Sequence, residues 1–406
     1  MQVKALVTAA NLANMQADND RAEALAEKSR ALCQELGDTR GIALSLRLLA
    51  VVAVRRGSFT AARSLNEEAL ALFREVGDKE GAALSLYNLG WLVIVQGEYA
   101  KGRALLEESL ALHREVGNKS GMAHSLSALA SALFESQGDP ATIRALLEES
   151  LALSQEVGDM EGIESFFFFS GQLALSQGDI ATARSLAEKS LVINREIGNR
   201  EDTAESLFLL ARVEARQGDN VAARALYEQS LAIAIEGNSK HDIDLFLEGL
   251  AGVVAAQGEP AWAARLYGAA EALRDANSIP IVPVYRAEYE LSVAAAHTQL
   301  GEKAFAAAWV EGRTMTPEQA LAAEGQPLLP TPTPPVTPAA TYPDGLTARE
   351  VEVLRLLAQG LTDAQIAEQL VLSLHTIYAH LRTIYSKLGV TSRSAATRYA
   401  FEHQLV

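Results

Sequence analysis

The dipeptide Gln-Gly recurs along this chain at a spacing that leaves little freedom of fold. It stands in "VQGEYAKGR", "SQGDPATIR", "SQGDIATAR", "RQGDNVAAR" and "AQGEPAWAA", whose glycines are Gly97, Gly138, Gly178, Gly218 and Gly258. Gly57 in "RRGSFTAAR" precedes them, so the spacings are 40, 41, 40, 40 and 40 residues. Half a period out of phase comes a second marker: "ELGDTRG", "EVGDKEG", "EVGNKSG", "EVGDMEG" and "EIGNRED". A glycine just past a helix end supplies the left-handed residue of a helix stop at little steric cost. The Asp, Asn or Glu that follows it is placed to cap the next helix. Each period is therefore expected to hold two helices of about 16 residues joined by tight turns.

Apolar residues between the markers keep the same register. Leu46 and Leu49, Leu86 and Leu89, Leu126 and Leu129, Leu207 and Leu210, Leu247 and Leu250 pair at helical spacing. Each pair is followed by a small residue, at Ala50, Gly90, Ala130, Ala211 and Ala251, where paired helices can approach closely. The pattern resembles the tetratricopeptide repeat in a longer form, over residues 1–276 in some seven helix pairs. The first 38 residues lack one of the glycine turns. Residues 277–322, opened by "SIPIVPVYRAEYE" with Pro280 and Pro283, break the period and are expected to add a kinked connection and a capping helix pair.

The resemblance implies a concave groove lined by the first helix of each pair. The residues it carries over include Arg47, Tyr87, Trp91, Phe168, Phe208, Arg212 and Glu248, and the four aromatics and two arginines among them would suit a peptide or an apolar ligand. In "SFFFFSG" the four rings of Phe166, Phe167, Phe168 and Phe169 span 300° of a helix at about 100° per residue, so they cannot share one face. Phe167 takes the register of the first leucine. Two alternatives stand here: all four rings pack between helices, or Phe168 faces the groove. The paired acids Glu67–Glu68, Glu107–Glu108 and Glu148–Glu149 read as a solvated convex face.

Charge divides the chain. Its formal net charge is −16 over 406 residues. From Asp344 onward there are six Lys/Arg and six Asp/Glu, so the preceding residues carry the whole excess. A long acidic body opposes non-specific nucleic-acid binding, whereas a neutral end with a local basic face does not. Cys33 is the only cysteine, which excludes an internal disulfide and reads as a buried thiol. No cleavable leader and no run of 18 apolar residues is present, so neither export nor membrane insertion is expected, and the expected location is cytoplasmic. No nucleophile elbow, phosphate-binding loop or metal-ligand spacing occurs. An enzyme, a cofactor and a metal are all unexpected.

Residues 323–343 form a linker, of which "PLLPTPTPPVTPAATYP" holds seven of the twelve prolines. Such a segment is a semi-rigid spacer reaching at most ~50 Å at about 3.1 Å per residue. Beyond it, residues 344–406 divide into four helical segments. Thr347 with Glu350 makes a capping box, Gly360 ends the first helix, and Thr362 caps a second carrying Ile366, Ala367 and Leu370. Ser373 caps the third, and Ser392 can cap the fourth. In the third, Ile377, Leu381, Ile384 and Leu388 form one buried stripe. The opposite arc holds His375, Ala379, Arg382 and Ser386, flanked by Tyr378 and Thr383. Helix, short turn and helix, with a small residue at the crossing, is a helix-turn-helix, and Arg382 is placed to reach a guanine edge or a phosphate.

The run "LTAREVEVLRLLAQGLTDAQIAEQLVLSLHTIYAHLRTIYSKLGVTSR" resembles the LuxR-type helix-turn-helix domain along its whole length. The resemblance implies that Tyr378, Ala379 and Arg382 face bases, with His375 beside them on the same arc. It places Thr376, Lys387 and Arg393 at or supporting the phosphates, with Thr383 at their edge. It also implies a two-fold dimer contact through Ser394, Ala395, Arg398 and Phe401. The place of Tyr378 is often a lysine or another polar residue in that family, so no base preference follows.

Taken together the chain reads as all-α: a tetratricopeptide-like solenoid joined by a Pro-rich linker to a four-helix LuxR-type domain. It resembles the C-terminal part of large LuxR-type regulators that carry an ATPase ahead of such repeats. Whether it is a naturally short form, a truncated frame or part of a split system stays open. The expected function is a DNA-binding transcription regulator, homodimeric on double-stranded DNA, whose repeats bind a protein or peptide. The alternative is an interaction scaffold with a vestigial helix-turn-helix.

Overall fold

A computed structural model describes residues 2–15, 18–237, 242–326, 344, 346–370, 374–390, 392–403 and 405. It divides into two compact units, residues 1–328 and 329–406. Among the described residues all regular structure is helical.

The first unit is a stack of helix pairs. They begin with α1 (Gln2–Met15) and α2 (Asn19–Leu36), α3 (Thr39–Arg55) and α4 (Phe59–Glu75), α5 (Lys79–Val95) and α6 (Tyr99–Val116), α7 (Lys119–Glu135) and α8 (Pro140–Val157). The stack continues with α9 (Met160–Ser176) and α10 (Ile180–Ile197), α11 (Arg200–Gln217) and α12 (Asn220–Glu236), α13 (Ile243–Ala256) and α14 (Pro260–Asn277). The paired leucines are buried in every first helix where they occur. Where Gly90 follows them, α5 and α6 come so close that a Cβ on Gly90 would sit 2.8 Å from Leu106.

The second marker does more than stop a helix. Gly77 takes φ +70°, and Asp78 then accepts the Gly81 N–H at 3.0 Å. Asp38, Asn118, Asp159 and Asn199 cap in the same way. The glycine three residues into the next helix has its own cause. A Cβ on Gly41, Gly81 or Gly121 would run into the buried side chain of Cys33, Phe73 or His113 of the helix before. Cys33 is thus a fully buried packing thiol whose pKa is raised chiefly by burial.

Two details depart from the sequence reading. Glu98 and Glu259 make no side-chain cap, whereas Asp139, Asp179 and Asp219 do. Glutamate is not among the preferred caps, because its longer chain is less suited to reach back to the first turn. In "SQGDPATIR" the left-handed residue is Gln137 at φ 58°, not Gly138, and the residue at N1 is Pro140.

Buried serine pairs tie the second helix of one pair to the first helix of the next. Ser29 with Ser45 at 2.9 Å and Ser190 with Ser206 at 2.6 Å are examples. On the outside, Glu108 accepts from Arg74 at 2.6 Å and Glu149 from Arg114 at 3.1 Å, so the exposed acid pairs stitch adjacent repeats. Such surface pairs contribute at most ~1 kcal/mol each.

The stack ends with α15 (Pro283–Leu300), α16 (Glu302–Gly312) and the short α17 (Pro317–Leu321). Here α16 packs on α14 at Gly268 and Gly312, the buried Arg265 pairs with Glu311 at 2.9 Å, and Trp262 Nε1 donates to the Ala320 carbonyl at 2.8 Å. The proline-rich spacer from residue 327 to 343 lies outside the described residues.

The second unit holds α18 (Ala348–Ala358), α19 (Asp363–Leu370), α20 (Leu374–Leu388) and α21 (Arg393–Glu402). Its core gathers Val351, Leu354, Ile366, Ala367, Ile377 and Ile384.

Candidate nucleic-acid interface

Local capping sets the three-helix frame. Thr347 and Glu350 form the capping box of α18, with the Thr347 N–H donating to Glu350 Oε2 at 2.7 Å. Thr362 and Gln365 do the same at α19, with the Thr362 N–H donating to Gln365 Oε1 at 2.9 Å. Ser373, the expected cap of α20, lies outside the described residues. Ile377, Leu381 and Ile384 of α20 are buried and Leu388 packs at the edge of the core, which turns the opposite face of the helix outward. On that face Tyr378 is 56% exposed, and Arg382, Thr383 and Ser386 are exposed. His375, Thr376 and Ala379 belong to α20, but their side chains lie outside the described residues.

The cations of this unit decide what its surface offers. Arg349 holds Glu352 and the Leu370 carbonyl, and Arg355 donates to the Leu405 carbonyl at 2.6 Å. Lys387 Nζ lies 2.7 Å from the buried Glu350. Arg393 donates to Asp363 Oδ1 at 2.5 Å and also to the Leu361 carbonyl. Arg398 pairs with Glu402 at 3.6 Å along α21. Of the six Lys/Arg in this unit, Arg382 alone has no partner among the described residues.

Two of the residues expected at or supporting the phosphates are paired within the unit. Lys387 and Arg393 are occupied inside the unit, where they brace α20 and α21 against the first two helices. The carboxyl of Glu350 is buried, which by itself would raise its pKa. The Lys387 ammonium and the Thr347 N–H and hydroxyl hold it below the ordinary range instead. On α21, Ala396 and Ala400 face the core, Ser394 and Arg398 are exposed, Ala395 is half-buried, and Phe401 leaves 58% of its surface to solvent.

In the first unit the expected groove residues converge only in part. Tyr87, Trp91, Phe168 and Phe208 line one cavity of about 340 Å³. Arg212 lines a neighbouring cavity of about 250 Å³ with Phe208. Arg47 lines neither: it is half-buried, its Nε has no hydrogen-bond partner among the described residues, and burial lowers its pKa. The four rings of "SFFFFSG" are divided. Phe168 is 7% exposed, packs into the core and touches the cavity, and Phe169 lines it as well. Phe166 packs toward α7 and α8, and Phe167, placed in a leucine register by sequence, is half-buried with the Lys189 ammonium 5.4 Å from its ring centre.

Of the acidic lining of this cavity, sequence reasoning placed Glu248 alone in the groove. Seven carboxylates reach it, and Glu164, Asp202 and Glu205 are among the six whose register looked merely polar. Burial, the dominant cause, pushes the Glu164 carboxyl up to about 7, with Asp202 adding to it and Ser190 and Asn194 opposing it. Burial and then the neighbouring carboxylates of Asp242 and Asp202 raise Glu205 well above the ordinary range. Among the described residues no group of three or more His, Cys, Asp or Glu side chains is arranged to hold a metal ion.

Comparison with known families agrees with this anatomy. The tetratricopeptide-repeat family matches residues 2–75, 81–156 and 168–236, and the family described as bacterial regulatory proteins, luxR family, matches residues 344–400. The chain belongs to the tetratricopeptide-repeat proteins and ends in a luxR-family regulatory domain. Among its relatives is a protein of Mycobacterium bovis assigned by name as an HTH-type transcriptional regulator, 33% identical over 130 residues. That match covers 31% of this chain and only 14% of the relative, so the chain spans about one seventh of the relative's length. The Fimbriae Z protein of Salmonella typhimurium is 51% identical over 61 residues, 15% of this chain and 29% of that one. In fold, the chain is similar to the Rap conjugation gene regulator of the plasmid pLS20 in complex with the Phr* peptide. The TM-score is 0.56 at 12% identity, over 67% of this chain and 73% of that one.

Proposed function

We propose that this protein is a sequence-specific DNA-binding transcription regulator whose α20 enters the major groove. The repeat body binds a protein or peptide partner and controls the C-terminal domain. The observation that carries the proposal is the state of Arg382: exposed, without a partner among the described residues, and on the face of α20 opposite its buried stripe. A helix of this width fits the major groove, and a bidentate arginine discriminates a guanine by ~1–3 kcal/mol. Tyr378 and the backbone-placed His375 and Ala379 complete the base-facing arc, with Thr376 and Thr383 at its edge. Two copies joined through Ser394, Ala395, Arg398 and Phe401 would read half-sites ~10 bp apart. The similarity to a Rap regulator described as a peptide complex supports a peptide as the partner of the repeats.

Arg382→Ala in the full chain is expected to weaken binding to a selected operator about tenfold to a hundredfold. It also flattens the salt dependence. Equal affinity with an unchanged salt slope would show that another face reads DNA. An unbiased selection on random duplexes that enriches nothing would favour the scaffold reading.

A further inference from the structure

The stretch that breaks the repeat period stays inside the superhelix. After α14 the chain turns back and crosses the groove. Ile279 packs against the buried cluster of Phe59, Ala62 and Leu92 from the second and third helix pairs. Pro280 lies so near Gly97 that a Cβ there would come within 2.8 Å of it. Gln137 Nε2 donates to the Pro283 carbonyl at 3.0 Å. The Tyr285 hydroxyl donates to Gln172 Oε1 at 2.7 Å, and its ring lies 4.4 Å from the Arg212 guanidinium and edge-on to Phe134. A proline-containing strap, residues 279–285, is thus already seated across the groove in cis.

The strap is less deeply buried than the helices it crosses. Ile279, Ile281, Val282 and Tyr285 are only half-buried, and Ala296 is the one fully buried residue of α15. A cavity of about 340 Å³ remains beneath it. Segments with few buried apolar contacts open at a fraction of the global unfolding free energy.

The cavity has a charge that the strap does not match. Seven carboxylates line it against one arginine and one histidine. Arg274 is engaged by Glu248, and His124 lies 3.2 Å from Asp159. Glu205 has no cation or hydrogen-bond donor as partner among the described residues. Beside the carboxylates stand the rings of Tyr87, Trp91, Phe168 and Phe208, whose faces attract a cation.

We propose that this groove docks an extended basic peptide, which takes the place of the 279–285 strap and sets a lysine or arginine side chain among the carboxylates around Glu205. The proposal rests on the reading of the repeat body as the partner-binding part. The strap is then an internal competitor: it lowers the apparent affinity of the peptide by the fraction of molecules in which it is seated.

The test uses the full chain and two labelled synthetic peptides of residues 278–286, one carrying Ile281→Lys and one Ile281→Glu, followed by fluorescence anisotropy. The lysine peptide is expected to bind at least about tenfold more tightly than the glutamate peptide. Tyr285→Ala in the protein loosens the strap and strengthens that binding, and Glu205→Gln weakens it. Gln172→Ala, which removes only the acceptor of the Tyr285 hydroxyl, is the second strap variant should Tyr285→Ala disturb folding as seen by circular dichroism. Equal affinity for the two peptides, no binding of either, or indifference to Glu205→Gln overturns the proposal. Arg382→Ala leaves peptide affinity unchanged if the docking site is right. Failure of the DNA reading and failure of this one are therefore separable. Peptide binding that leaves operator affinity unaltered would keep the docking site and reject its regulatory role.

Discussion

At the scale of single residues, ionic partners decide roles that side-chain type leaves open. Lys387 looks like a phosphate contact, yet its ammonium lies on Glu350, which is 5% exposed. Lys387→Met should therefore cost stability first, on the order of 2 kcal/mol, because it leaves a buried carboxylate unpaired. Urea unfolding followed by the tyrosine signal of the C-terminal unit would measure it. Glu350 is held below its ordinary pKa, so its contribution is present above about pH 4.5 and is lost as pH falls through the folded value. Glu164 has the opposite sign. Its folded pKa of about 7 lies above its unfolded value, so it favours folding at low pH and the protein loses that stability as pH rises from about 4.5 to about 7. Glu164→Gln keeps an acceptor for Ser190 and Asn194. It should raise the melting temperature at pH 8, by at most ~3 kcal/mol in stability, and change little at pH 5. Thermal unfolding at the two pH values distinguishes this from a simple packing effect, which would appear at both.

At the scale of the element, the repeat was legible because each turn has a local chemical cause. Glycines past helix ends and Asp or Asn caps act over a few residues, and both can be seen without tertiary structure. The glycine three residues inside the next helix was visible as a pattern, but its cause was not. Only packing shows that Gly81 makes room for Phe73. Gly81→Ala should destabilise by about 1–3 kcal/mol through overpacking, and Phe73→Leu in the same chain should return part of it. A double-mutant cycle by chemical denaturation checks the coupling; additive losses would point to helix propensity or cap loss instead. The four rings of "SFFFFSG" show the limit of periodicity. Spacing proves that they face different directions, but which ring takes the core depends on neighbouring helices, and Phe168 took it where the register pointed to Phe167.

At the scale of the whole molecule, the two units differ in charge. The C-terminal unit is neutral and has one unpaired cation among the described residues, so a single copy should hold DNA weakly, and a dimer through α21 is the natural remedy. In the dimer proposed above, Phe401, exposed on α21, is the apolar residue that would make the contact. Phe401→Glu should shift the full chain toward monomer and lower affinity for a two-fold site much more than for a single half-site. Sedimentation with and without operator DNA would show both effects. If the two duplexes lose affinity equally, α21 is not the dimer contact.

The sequence by itself determined the helical class, the forty-residue period, the helix stops and starts, and the luxR-like C-terminal domain. Each rests on interactions within a few residues or on a repeated pattern. Tertiary structure alone decided that Lys387 and Arg393 pair within the C-terminal unit, that Arg47 lines neither of the two cavities that hold the other groove residues, that residues 279–285 cross the groove, and that carboxylates from several helices meet in one cavity. These are encounters between residues tens to hundreds of positions apart. Their outcome depends on how the helix pairs coil around the groove, which no local pattern records.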